Sequence, residues 1–153
     1  MVRKLRQFNF HDCVKERLLR TIPPSKEKAE GSMRAAEKWL EEARKDLGGE
    51  AFNSSLISSY LAMFHSARAI LFFDGFREKG HYCIARYLGE KYAKKELLET
   101  KWIELLDYYR DMRHNDQYST SFFATEKEAK KALKSAQGFV ETMRKLLERL
   151  SLQ

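Results

Sequence analysis

The sequence predicts an all-α protein, an antiparallel, up-and-down bundle of about five helices. Three observations carry that class. Apolar residues recur at steps of three and four through most of the chain. The breaks between these stretches are short and hold the serine, threonine, proline and glycine chemistry of helix starts and stops. No stretch alternates with period two for long enough to make a strand. With 153 residues and 43% hydrophobic content, the chain reads as one domain, 1–153. A domain of this length buries about 68–70% of its unfolded surface, so it needs no metal or disulfide staple. There are no internal repeats and no low-complexity linker.

Residues 1–24 read as an N-terminal arm. It opens with the basic run "MVRKLRQFNFHDCVKERLL", which lacks the continuous apolar core of a signal peptide. In the first long helix Ala29, Met33, Ala36, Leu40, Ala43 and Leu47 draw one apolar stripe. Ser25 caps it after Pro23 and Pro24, and Gly48-Gly49 ends it. The second helix runs from about Ala51 to Asp74, with Gly75 as its stop. Leu56, Tyr60, Leu61, Phe64, Ala67, Ile70 and Leu71 make it apolar around more of its circumference, so it belongs at the centre. Its most apolar part, "YLAMFHSARAILFF", is interrupted by His65 and Arg68 and is too short to span a bilayer. A shorter helix after "REKG" carries Ile84, Tyr87, Leu88 and Tyr92. The fourth covers about Leu97 to His114, with Trp102, Leu105, Leu106, Tyr109 and Met112 inward. The last opens with the capping box "TEKE", Thr125 with Glu128. It continues along Ala129, Ala132, Ala136, Phe139, Val140, Met143, Leu147 and Leu150.

Twenty-nine Lys and Arg against 22 Asp and Glu leave a net charge of +7, and the sequence pI is 9.4. That balance favours a polyanionic partner such as RNA, or an acidic protein. Cys13 and Cys83 stand far apart with no CxxC, which fits two free thiols in a reducing cytoplasm and argues against a disulfide framework. His11, His65, His81 and His114 are scattered without metal-ligand spacing. Neither a metal nor another cofactor is expected.

The densest chemistry lies in "YYRDMRHNDQYS", residues 108–119. One further step along the apolar stripe of the fourth helix lands on Arg113. A guanidinium on that face is costly unless a carboxylate or an outside anion meets it. Arg110, Arg113 and His114 lie three and four apart, so Arg110 neighbours both of the others. Asn115 and Asp116 are turn formers, so the chain is expected to leave the helix there and bring Tyr118 back toward Arg113. The cluster would then hold two fixed cations, an imidazole that titrates near neutrality and a phenol. The alternative is a cationic helix C-terminus that offsets the macrodipole, with Asp116 paired to either arginine. His65 reads as a hydrogen-bonded core or interface residue or as a lining of the motif cleft. His81 reads as a helix-start residue, Tyr108 and Tyr109 as packing, and "KYAKKE" as a solvated face that adds to RNA attraction.

Three segments together resemble the HEPN domain family, in its small stand-alone prokaryotic branch. They are "HDCVKERLLRTIPPSKEKAEGSMRAAEKWLEEARKDL", "AFNSSLISSYLAMFHSARAILFFDGFREKGH" and "RHNDQYSTSFFATEKEAKKALKSAQGFV". The resemblance spans nearly the whole chain as several modest signals in the right order. It implies a homodimer whose two motifs face a shared cleft, often beside a small nucleotidyltransferase in a toxin–antitoxin pair. Nuclease members carry an arginine, a polar residue and, a few residues on, a histidine that serves as general base without any metal. Position by position, the arginine falls on Arg113, the polar follower on His114 and the final histidine on Tyr118. A phenol is almost fully protonated at neutral pH and makes a poor base, though Tyr118 can still donate to a phosphate or stack on a base. The resemblance therefore implies nucleotide or RNA binding by Arg113 and Arg110, with His114 and Tyr118 shaping the site. The alternatives are a metal-independent endoribonuclease using Arg113 and His114, and a non-catalytic helical adaptor.

Overall fold

The computed structural model describes residues 8–153; the basic run "MVRKLRQ" lies outside them. The all-α expectation holds. In chain order the elements are α1 (Phe10–Lys15), β1 (Leu19–Thr21), α2 (Lys26–Gly48), α3 (Phe52–Asp74), β2 (Phe76–Glu78), α4 (His81–Leu88), α5 (Thr100–Tyr118) and α6 (Glu126–Ser151). A π-helical turn over Gly89–Ala93 prolongs α4.

α3 is the hub of the bundle, packing along α2 and α6 and against α4 and α5. Its sequence explains the position. Leu56, Ala62, Met63, Ala67, Ile70 and Leu71 are fully buried, and Tyr60 is nearly so. By length and composition α3 would also suit a membrane span, contrary to the sequence reading, but the bundle buries 72% of its most apolar window. Two of its serines bond toward α2: Ser55 Oγ donates to the Ala43 carbonyl at 2.8 Å and Ser58 Oγ to Asp46 at 3.2 Å. From α2, Ser32 Oγ donates to the His65 carbonyl at 2.7 Å. The predicted caps are in place. Ser25 accepts from the Lys28 amide, and Thr125 with Glu128 closes a reciprocal box at the head of α6.

Gly75 ends α3 in the left-handed region, at φ +91°, where a Cβ would stand 2.8 Å from the Ile22 carbonyl oxygen. Only glycine fits this close crossing. The crossing continues as two strands that the sequence did not reveal, because three residues are too few to show alternation. β1 and β2 pair antiparallel, with Leu19 opposite Glu78 and Thr21 opposite Phe76.

The cysteine reading is corrected outright. Cys13 and Cys83 form a disulfide with Cα atoms 5.9 Å apart. Seventy residues of separation in the chain hid the fact that α1 packs on α4. Both residues are fully buried. The lead-in is thereby built into the fold, and Tyr82 Oη also donates to the Phe8 carbonyl at 3.1 Å.

The predicted end of the fourth helix is corrected as well. α5 does not break at Asn115–Asp116 but runs through Tyr118. Asp116 is a buried anchor, accepting through Oδ1 from Asn53 Nδ2 at the head of α3. Asn53 Oδ1 in turn receives the Ala124 amide at 3.0 Å. One asparagine thus ties α3, the last turn of α5 and the approach to α6.

Candidate functional site

Arg113 sits on the α5 face that meets α3 and α4. Its Nη1 donates to Gln117 Oε1 at 3.0 Å, and its Nη2 lies 3.3 Å from His81 Nδ1. The guanidinium carbon stands 5.1 Å from the centre of the Tyr60 ring, within cation–π range. Among the described residues no carboxylate pairs with it. Its Nε is buried without a hydrogen-bond partner.

The arginine dictates the state of the imidazole. A guanidinium can only donate, so His81 Nδ1 must accept, which places the ring proton on Nε2. Tyr60 Oη, 3.0 Å from the same Nδ1, is a second donor. His81 also stacks on Phe64, ring centres 4.1 Å apart. Burial and then the cations Arg113, Arg68 and Arg110 push its pKa down to about 4. It is therefore neutral at physiological pH. Burial and the Arg68 charge lower His65 too. Burial lifts the Tyr60 phenol to about 12, although Arg113 and Arg110 pull the other way. The result is a part-buried cluster of fixed positive charge and neutral hydrogen-bonding rings.

Arg68 and Arg110, unlike Arg113, are balanced by acids. Arg68 Nε lies 2.9 Å from Glu78 Oε1, too poorly aligned for a hydrogen bond, while its guanidinium lies over Phe72 at 5.0 Å. Arg110 bonds Asp107 at 2.5 Å and Asp111 at 3.1 Å. Burial opposes its charge, but those two carboxylates hold its pKa above the usual value. Asp107 also pairs with Arg86. Both guanidinium carbons lie near the Tyr82 ring, at 4.6 Å for Arg86 and 4.9 Å for Arg110.

The structure thus joins Arg113 to His81 and Tyr60, neither of which the sequence offered as its partner, and does not join it to His114, Tyr118 or Asp116. His114 is exposed, its ring 4.9 Å from that of Tyr118 one turn later. Tyr118 is 65% exposed and does not fold back toward Arg113, because α5 continues and carries it outward. Asp116 pairs with Asn53 and with neither arginine. His65 lies beside Phe64, ring centres 5.0 Å apart, within electrostatic reach of His81. His81 does open α4, as the sequence predicts, but the sequence does not link it to Arg113, 32 positions away. No spacing rule connects the two; only the packing of α4 against α5 does.

A protein of Methanocaldococcus jannaschii named "Putative toxin MJ0605" is 23% identical over 125 residues, covering 82% of this chain and 92% of that relative. The family model described as the HEPN domain matches residues 29–146, a stretch that includes Tyr60, His81, Arg110 and Arg113. The chain that folds into this bundle belongs to the HEPN domain family.

Proposed function

We propose that this chain binds nucleotide or RNA phosphate through Arg113, as one half of a toxin–antitoxin-type pair with a small nucleotidyltransferase. The carrying observation is a part-buried guanidinium with no carboxylate partner among the described residues and an unused buried N–H, beside rings held neutral. A planar guanidinium fork matches two phosphate oxygens. The toxin description of the relative agrees with this reading. The rest of it is a homodimer with paired motifs across a cleft, in which His114 and Tyr118 offer an exposed imidazole and phenol at the rim, while Arg110 stays held by Asp107 and Asp111.

The test is binding of labelled single-stranded RNA in EDTA. Arg113→Ala is expected to weaken binding about ten- to hundred-fold, the scale of one or two charge-assisted bonds, with affinity falling steeply as salt rises. Binding unchanged by Arg113→Ala overturns the reading. No binding of RNA or nucleotide at all leaves the helical adaptor. A monomer by sedimentation removes the shared cleft.

One observation favours a second reading, metal-independent RNA cleavage. The imidazole this reading would use as base is His114, exposed and directly after Arg113; His81, 3.3 Å from Arg113 with its Nδ1 already taken, is a weak base at a pKa of about 4. The same incubation decides it. Cyclic-phosphate products lost in His81→Ala name His81 as the base, and loss in His114→Ala names His114. Intact RNA at every protein concentration ends this reading.

A further inference from the structure

The face of the bundle where α5 meets α6 carries a groove of about 500 Å³, lined by Lys101, Trp102, Leu105, Lys131, Lys134 and Ser135, with Gly138 as its floor. We infer that this groove is a second nucleic-acid site, in which a base of single-stranded RNA stacks on Trp102 while the flanking phosphates lie on Lys131, Lys134 and Lys101. The inference goes beyond the Arg113 reading and uses none of its residues.

Three features carry it. First, the helix is shaped around the indole. Gly138 lies inside the 26-residue α6, where glycine costs about 1 kcal/mol relative to alanine. A Cβ there would stand 3.1 Å from Trp102 Cη2, so the glycine keeps room for the ring. Second, every charged residue lining the groove is a lysine, and two of the three are uncommitted. Lys131 and Lys134 are exposed and form no ion pair among the described residues. Lys101 lies 5.0 Å from the Trp102 ring centre and only 3.7 Å from the exposed Glu99. A cation resting on an aromatic face marks where a base, together with its phosphate, can take the cation's place. Third, a second exposed aromatic ring lies further along α5: Tyr108, 53% exposed, outside the groove's own lining. Aromatic faces interleaved with lysines suit single strands, whose bases are free to splay and stack.

The test reads Trp102 emission in a Trp39→Phe background, which leaves Trp102 as the chain's one indole. Titration with a single-stranded oligouridylate is expected to quench emission saturably. An abasic oligonucleotide of equal length should bind at least ten-fold more weakly. Lys131→Ala/Lys134→Ala, an exposed pair whose loss leaves the core intact, should weaken the oligouridylate ten-fold or more with an unchanged thermal melt. Arg113→Ala should leave the titration unaltered. The inference is overturned by absent quenching, by quenching insensitive to the lysine pair, or by equal quenching with polyglutamate, which would mark a docking face for an acidic protein. It is overturned too if Arg113→Ala abolishes the signal, which would assign it to the other site. Intact groove quenching alongside RNA binding that ignores Arg113 would instead overturn the Arg113 reading and leave the groove standing.

Discussion

His81 is part-buried beside the cations Arg113, Arg68 and Arg110, and that setting has a signed consequence for pH. An unfolded imidazole titrates near about 6.5, whereas the folded one waits until about 4. Between those values the unfolded chain binds the proton and the folded one does not. The stability His81 contributes is therefore whole above about pH 6.5 and is lost as the pH falls toward 4. His81→Gln should flatten this acid limb by an amount on the order of 1 kcal/mol, once solvent screening of a part-exposed ring is allowed for. Melting curves of both proteins from pH 4 to 8 give the comparison, and parallel curves would rule out the assignment. Arg113 was legible in the sequence because it extends an apolar stripe. His81 was not, since no local pattern distinguishes a helix-start histidine from one that meets an arginine on another helix.

The last turn of α5 persists because Asp116 faces inward. Burial raises its carboxyl pKa, although the Asn53 bond lowers it in part, and Oδ2 finds no partner. With a carboxyl raised in this way, stability falls as the pH climbs from the unfolded value to the folded one, and the loss is complete above it. Asp116→Asn keeps an acceptor for Asn53 and removes the buried charge, so it should stabilise the protein at pH 7 by about 1 kcal/mol. Asn53→Ala frees the carboxylate and the Ala124 amide together and should cost about 2 kcal/mol. Urea unfolding midpoints measure both. The same anchor explains why the sequence placed the helix end too early: Asn115 and Asp116 are turn formers by local chemistry, and a contact with Asn53, 63 positions away, overrides it. Caps and glycine stops, whose partners lie within a few residues, were read correctly in α2, α3 and α6.

At the scale of the molecule, periodicity disclosed the helices and their inward faces, and the connections escaped it. The strands are too brief to show alternation, and the disulfide depends on which helix lies against which. In the chain-entropy picture, closing a loop of 70 residues adds about 4 kcal/mol. Cys13→Ser/Cys83→Ser should therefore lower Tm by roughly 10 °C for a domain of this size, and a reductant should reproduce the loss in the parent chain. Thiol labelling of the denatured protein checks the starting state, where no free thiol is expected. The strand pairing bears on where the domain may be cut. Trimming to the family limits of 29–146 would excise Leu19, leaving Glu78 without its cross-strand neighbour, and would strip the α1 cover from Cys83, two residues past His81. Family borders are not fold borders in this protein, and a fragment built on them would begin with an open seam beside its own cationic cluster.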